Sequence, residues 1–153
     1  MQYPLPEGAI ETPAPALDQS MNVLVFQEPE SRSNYTIIIN RDRMNAGETP
    51  ESYCRRQIVT LERQFDEFTV ERELEVHTEH RTVPYALFAS RFRQNGVPVH
   101  QRQCVVQITG DGSVMNFTLS GTTPFNEAQT SHFDDVLRSF IASRMHLTVV
   151  QHP

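Results

Sequence analysis

Six histidines are the residues best suited to acid–base or metal chemistry in this chain, and their neighbours favour structural roles. His77 and His80 flank a short polar turn, but a metal site there would need two further ligands that the sequence does not indicate. His132 lies beside Asp134 and Asp135, which we interpret as the first turn of a helix, where acidic side chains favour the positive helix end. We therefore predict no catalytic site, no metal site and no cofactor.

Sequence motifs for common catalytic chemistry are also missing. The chain contains no G-x-S-x-G, no phosphate-binding loop, no G-x-G-x-x-G and no H-E-x-x-H pattern. Gly110 and Gly112 flank Asp111 in an arrangement typical of a tight turn, not of a loop that binds phosphate. An enzyme is therefore not expected, and the function is expected to depend on a binding surface.

Composition limits the remaining classes of protein. The 153 residues carry a net charge of −6 and are 38% hydrophobic, which is typical of one acidic globular domain spanning 1–153. The longest basic run, Arg55–Arg56, is too short to predict nucleic-acid binding. The N-terminus lacks signal-peptide features, and no segment is apolar over the ~20 residues of a membrane helix. With Cys54 and Cys104 read as two reduced, buried thiols, we predict a cytoplasmic protein without stable membrane insertion.

Periodicity and capping residues predict two helices. Thr49 as N-cap and Pro50 at the first helical position mark the start of one helix, and an apolar stripe continues to Phe65. A second helix is predicted within 126–145. The proline-rich residues 1–17 are expected to form an extended lead-in, and the tail 146–153 a short strand or coil.

Alternating and continuous apolar runs predict six strands, with a seventh possible in the tail. Asn95-Gly96 is a strong signal for a two-residue hairpin turn. The predicted fold is a two-layer α+β domain, an antiparallel sheet of six to seven strands with both helices on one face. The predicted strands span 21–26, 35–40, 68–76, 83–93, 99–109 and 114–120. The side chains predicted beneath the helices are Leu24, Phe26, Ile37, Ile39, Phe88, Cys104, Val106, Ile108, Met115, Phe117 and Leu119.

The first two strands are apolar on both faces, because aliphatic residues occupy successive positions whose side chains alternate between faces. The opposite face of the sheet, which we call the second face, mixes aliphatic residues with amides and hydroxyls. Its predicted side chains are Met21, Val23, Val25, Thr36, Ile38, Asn40, Leu87, Ala89, Gln103, Val105, Gln107, Val114, Asn116 and Thr118. We interpret it as a surface for an apolar helix, which would contact Met21, Val23, Ile38 and Val105. Amides that could satisfy polar groups on that helix are those of Gln57, Gln103 or Gln107. A dimer interface or an ordinary, partly exposed sheet is an alternative explanation of the same pattern.

An ordered set of short motifs between Asp18 and Ile141 resembles the Eag-type, DcrB-related chaperones of bacterial type VI secretion systems. No single motif is as specific as a metal-binding signature, and the resemblance depends on their order. The motifs are Asp18-Gln19-Ser20-Met21-Asn22-Val23, Asn40-Arg41-Asp42, Tyr53-x-x-Arg56-Gln57, Arg102-Gln103 and Thr122-Thr123-Pro124.

This resemblance implies a fold similar to PsbP-like domains and a cytoplasmic homodimer. Such a dimer would bind the N-terminal transmembrane helices of a secreted effector, shield them and help load the effector onto the secretion spike. Phe65 is placed among the client contacts by the resemblance, although the helical stripe predicts that it is buried. The predicted client-binding residues are Met21, Val23, Val25, Ile38, Gln57, Phe65, Gln103 and Val105.

Two other functions fit the same residues. The apolar face could bind a lipid or a small hydrophobic molecule, which native mass spectrometry of the extracted protein would detect. The protein could also be an immunity or regulatory protein of the same secretion locus. A need for the protein in effector stability, as opposed to survival under attack, would separate the chaperone from the immunity protein.

Overall fold

A computed structural model describes residues 1–78 and 83–151 and gives an α+β fold built on a six-stranded antiparallel sheet. The predicted order of the main strands and helices is confirmed, and a short N-terminal hairpin precedes them. The strands are β1 (Gln2–Leu5), β2 (Gly8–Glu11), β3 (Met21–Gln27), β4 (Asn34–Arg43), β5 (Asp66–His77), β6 (Tyr85–Gln94), β7 (Val97–Gln107) and β8 (Ser113–Gly121). The helices are α1 (Pro50–Gln64) and α2 (Glu127–Gln151).

The order of strands in the large sheet is β3-β4-β8-β7-β6-β5, so β3 and β5 form its two edges. Strands β3, β5, β6 and β7 each pair with the next strand in the chain, whereas β4 also pairs with the distant β8. Asn95 and Gly96 both have positive φ, at 52° and 77°, and they connect β6 to β7 as a two-residue turn. The predicted hairpin at this position is confirmed.

The predicted α+β class, with an antiparallel sheet of six main strands and two helices, is confirmed. The two helices lie on opposite faces of this sheet, whereas one face was predicted for both. We call these the α1 face and the α2 face. The core between α2 and the sheet consists of Ile37, Cys104, Val106, Phe117, Leu119, Phe133 and Leu137. The core between α1 and the sheet consists of Met44, Tyr53, Cys54, Ala86, Phe88, Val105 and Val114. Because the central strands are apolar on both faces, one helix on each face buries more of them than two helices on one face.

The facing of strand β6 also differs from the prediction. Phe88 was predicted on the same face as Cys104, but it pairs with Gln103 and therefore lies on the α1 face. Leu87 and Ala89, predicted on the opposite face, lie on the α2 side. Both faces of β6 are covered, so hydrophobicity could not indicate its facing. The two-residue turn decides the register, because it pairs the residues that flank it directly.

The two chain ends are more ordered than predicted. Residues 1–17, expected as an extended lead-in, contain the β1–β2 hairpin, and the Tyr3 hydroxyl donates to Asp18 Oδ2 at 2.7 Å. Helix α2 continues through most of the predicted tail to Gln151. Among the described residues, no helix has the length and apolar character needed to cross a membrane.

Capping explains where each helix begins. The Ser52 N–H donates to Thr49 Oγ1 at 3.2 Å, and the Thr49 N–H donates to Ser52 Oγ at 2.9 Å, which is a reciprocal cap for α1. At the start of α2, the backbone N–H groups of Asn126 and Gln129 bind each other's side-chain oxygens in the same way. Helix α2 therefore begins at Glu127, which is the acidic residue in its first turn.

Candidate functional site

Helix α1 covers only part of its face. Its backbone lies nearest to β5, β6 and β7, whereas the same face of β3 and β4 carries apolar side chains that are exposed or only partly buried. Met21, Val23 and Val25 on β3 are 60%, 54% and 62% exposed. Ile38 on β4 is directly opposite Val23 and is partly buried. We call these four residues the open strip.

A polar pocket adjoins the open strip, between it and α1. Its cavity has a volume of about 160 Å³, and its lining combines amide, hydroxyl and carboxylate groups with one buried aliphatic side chain. Asn40, which lines the pocket, is directly opposite Met21 in the β3–β4 pairing, so the pocket and the strip share a border. The lining residues are Asn40, Asp42, Tyr53, Gln57, Gln103, Val105, Asn116 and Thr118.

Three of the lining side chains form a chain of hydrogen bonds. The Tyr53 hydroxyl donates to Asp42 Oδ2 at 2.6 Å, and the Asn116 amide Nδ2 donates to the Tyr53 hydroxyl at 3.0 Å. Tyr53 is fully buried, and burial followed by the bond to Asp42 raises its pKa, so the phenol stays protonated and keeps its donor role. This network joins α1 to strands β4 and β8.

The charges around the pocket are largely matched. Arg56 lies over the Tyr53 ring, 5.0 Å from its centre, and forms two hydrogen bonds of 2.9 Å to the Glu48 carboxylate. Asp42 also accepts a hydrogen bond of 2.8 Å from the Arg43 backbone N–H. Asp42 is therefore the one charged side chain among the described residues that line the cavity, and its oxygens already have donors.

The structure brings most of the predicted client-binding residues together. Met21, Val23, Val25 and Ile38 form the open strip, and Gln57 and Gln103 both line the adjoining pocket. All six lie on the α1 face of the sheet or on α1 itself. They form one continuous surface that combines apolar side chains with amides.

Two predicted contact residues are placed differently. Val105 is only 3% exposed because it packs beneath α1, so it contributes to the core and to one wall of the pocket. Phe65 follows the end of α1, and its ring stacks on Phe92 at 4.4 Å over β6. Strands β4, β8 and β7 separate β6 from β3, so Phe65 is far from the open strip. Gln107, an alternative amide donor, binds the Thr109 carbonyl at 3.3 Å and does not line the pocket.

The histidines have packing roles where the structure describes them. His77 stacks on Tyr85 with ring centres 4.5 Å apart, and the proposed neighbour His80 lies outside the described residues. His132 shares a 2.8 Å hydrogen bond with the Tyr35 hydroxyl. Asp134 and Asp135 lie beyond the first turn of α2, so their interpretation as first-turn residues is wrong. Within residues 1–78 and 83–151, no group of three or more potential ligands could hold a metal.

Sequence reasoning missed the polar network. Asn116 and Asn40 were placed on the second face, but their meeting with Asp42 and Tyr53 was not predicted. One signal was available, because Tyr53 and Gln57 are four positions apart and therefore share one side of α1. The partner strands could not be identified in this way, since Asn116 is 63 residues from Tyr53.

Comparison with known proteins places this arrangement in context. A family model described as DcrB matches residues 7–139. The fold is similar to that of PA94, a Pseudomonas aeruginosa protein of unknown function, with 23% identity, 91% coverage of each chain and a TM-score of 0.67. It is also similar to LpqN of Mycobacterium tuberculosis, a protein involved in cell envelope biogenesis, with 14% identity, 84% and 77% coverage of this chain and of LpqN, and a TM-score of 0.50. No curated protein sequence matches the chain.

Proposed function

The chain belongs to the DcrB family, and from this premise we propose that it is a chaperone for apolar helices of a secreted protein. The client would be a type VI secretion effector whose N-terminal transmembrane helices need shielding before export. The proposal combines the motif resemblance to Eag-type chaperones with the observation that carries it, the open strip beside α1. A cytoplasmic location and a homodimer are parts of the same proposal.

The open strip has the dimensions of a short helix contact. Met21 to Val25 spans four residue steps of a strand, about 13 Å, which corresponds to roughly two and a half turns of an α-helix. Two adjacent strands lie about 4.8 Å apart, roughly half the diameter of a helix with its side chains, so the strip would contact one side of a docked helix. Burying one valine or methionine side chain fully contributes about 1.5–3 kcal/mol, so an apolar helix gains substantially by docking here.

The chemistry of the surroundings favours a protein helix over a lipid chain. The amides of Gln57 and Gln103 lie next to the aliphatic strip, and transmembrane helices associate through close packing supplemented by such hydrogen bonds. The strip is a shallow surface on two strands, whereas a lipid tail is usually enclosed in a deep apolar cavity. Met21 adds a flexible side chain that can adapt to clients of varied shape.

The direct test introduces a charge into the strip. Co-expressed with the product of the adjacent gene as the candidate effector, Val23→Asp is expected to lose co-purification of that protein's N-terminal region, because an apolar helix would then bury an unpaired carboxylate. Ile38→Asp is expected to act in the same way. Deleting the effector's transmembrane segments should abolish binding to the unaltered protein.

Val59→Asp is the matched control, since Val59 is 45% exposed on α1 and lies outside the strip and the pocket. This variant should retain the client, and all three variants should keep the circular dichroism spectrum of the parent protein. Retention of the client by folded Val23→Asp and Ile38→Asp would disprove the proposed surface. A lipid in native mass spectra, displaced by Val23→Asp, would support the alternative ligand.

The homodimer has a separate test. Light scattering after size-exclusion chromatography should give twice the 17.6 kDa chain mass plus the mass of the client for the complex, and the same measurement on the protein alone shows whether the dimer forms without the client. A monomer under both conditions would contradict this part of the proposal without affecting the docking surface.

A further inference from the structure

We infer that the polar pocket binds the hydroxyl group of a serine or threonine on the helix that occupies the open strip. This inference rests on the proposed function and specifies the chemistry of the client. It rests on the direction of the hydrogen bonds in the pocket and on one buried acceptor, Asn116 Oδ1, that takes part in none of them.

The direction of the network follows from Tyr53. Its hydroxyl has one proton, which it donates to Asp42 Oδ2 at 2.6 Å. The same oxygen must therefore accept from Asn116, whose Nδ2 lies 3.0 Å away. Since the amide group of Asn116 is oriented by this bond, its Oδ1 is directed away from Tyr53.

Asn116 Oδ1 is a buried acceptor with no hydrogen-bond partner in the part of the chain that the structure describes. An unpaired buried acceptor is unfavourable, because the hydrogen bonds to water that it loses on burial are not replaced. Asn116 lines the pocket, so a group that satisfies this oxygen would approach it through the cavity. The complementary group must be a hydrogen-bond donor.

A hydroxyl fits this site better than other donors. It can donate to Asn116 Oδ1 and accept from the amide of Gln57 or Gln103, which line the same cavity. A volume of about 160 Å³ accommodates a side chain of the size of serine or threonine. A lysine ammonium is disfavoured because a charge in a transmembrane helix is costly to insert, and because both Asp42 oxygens already accept hydrogen bonds.

The pocket and the strip are spaced for one helix. Strand β8, which carries Asn116, is the neighbour of β4, and Asn116 is directly opposite Asn40. Adjacent strands are about 4.8 Å apart, which is close to the 5–6 Å between side chains three or four positions apart on a helix. A helix lying on the strip can therefore direct a hydroxyl one turn away into the pocket.

The test uses eight synthetic peptides of about 20 residues, built from leucine and alanine with terminal arginines. Four carry a single threonine at successive central positions, and four carry valine, which has the same shape, at those positions. One tryptophan in each peptide reports binding by fluorescence without interference, because the protein contains no tryptophan. At least one threonine peptide should bind about 5–10-fold more tightly than its valine counterpart.

Asn116→Leu should reduce this ratio to about one while the valine peptides bind as before. Tyr53→Phe provides a second variant, because it releases the Asn116 amide and should also weaken the preference. Asn22→Leu is the matched control, since it makes the same chemical change on the opposite face of β3 and should keep the parent ratio.

The outcomes separate the two proposals. Equal binding of all eight peptides, or a threonine preference that persists in Asn116→Leu and Tyr53→Phe, would overturn the hydroxyl pocket and leave the docking strip intact. Failure of every peptide to bind the parent protein would overturn both.

Discussion

The α1 face of the sheet consists of two halves with similar side chains and different surroundings. Over β6 and β7, Phe88 and Val105 are 1% and 3% exposed because α1 packs on them. Over β3, Val23 and Val25 are 54% and 62% exposed. Valine thus occupies both halves, so residue type alone does not distinguish a core position from a docking position. The distinction depends on where a 15-residue helix ends its contacts with a six-stranded sheet.

The largest expected difference between the halves is in stability. Phe88→Ala should lower the free energy of unfolding by about 3–5 kcal/mol, because it leaves a cavity beneath α1. Val23→Ala should change it by less than about 0.5 kcal/mol, since its side chain is exposed. Urea denaturation followed by circular dichroism measures both. A loss above about 1 kcal/mol for Val23→Ala in the absence of a client would show that another surface covers the strip.

A smaller effect is expected at the boundary between the halves. Tyr53→Phe removes the hydroxyl that links Asp42 to Asn116, and leaving these groups without their partner should cost about 1–3 kcal/mol. Tyr3→Phe removes a comparable hydroxyl that binds Asp18 at the partly exposed base of the N-terminal hairpin, and should cost less than about 1 kcal/mol. Equal losses in the two variants, measured by thermal unfolding, would argue against a structural role for the pocket network.

The smallest expected effect concerns the covered half at alkaline pH. Burial beneath α1 raises the pKa of Cys54 from 9.0 to about 12, and burial beneath α2, on the other face of the sheet, raises the pKa of Cys104 as well. The thiols of the unfolded chain ionise at lower pH than those of the folded protein. The contribution of the buried thiols to the free energy of unfolding is therefore fully present well below pH 9 and is lost as the pH rises toward 12. At pH 9.0 the ionisation of each unfolded thiol should lower the free energy of unfolding by about 0.4 kcal/mol. The parent protein should lose more stability between pH 7 and 9 than Cys54→Ala does.

Thiol labelling provides an independent check of the same comparison. Both cysteines are buried and free, so a thiol reagent at pH 8 should react slowly with the folded protein and quickly in denaturant. Rapid labelling of Cys54 in the folded protein would mean that the covered half opens readily, whereas rapid labelling of Cys104 would mean that the core beneath α2 does so.

Much of the fold could be predicted from local sequence. Thr49 and Pro50 predicted the start of α1, and Asn95-Gly96 predicted the β6–β7 turn, because capping and tight turns depend on residues that are adjacent in the chain. The facing of Phe88 was predicted wrongly, although the register of that same turn contained the information. The N-terminal hairpin was missed because four prolines favoured an extended chain over paired strands.

The candidate site, like the fold, could be predicted from the sequence only in part. The sequence by itself determined that Val23 and Ile38 belong to strands with two apolar faces, since side chains alternate along a strand. Only the tertiary structure decided that α1 leaves these residues open, that it buries Val105, and that Tyr53 meets Asn116 across 63 residues. The physical reason is that periodicity indicates which side chains share a face. Which element covers that face depends on the pairing of β4 with β8, a contact between distant parts of the chain.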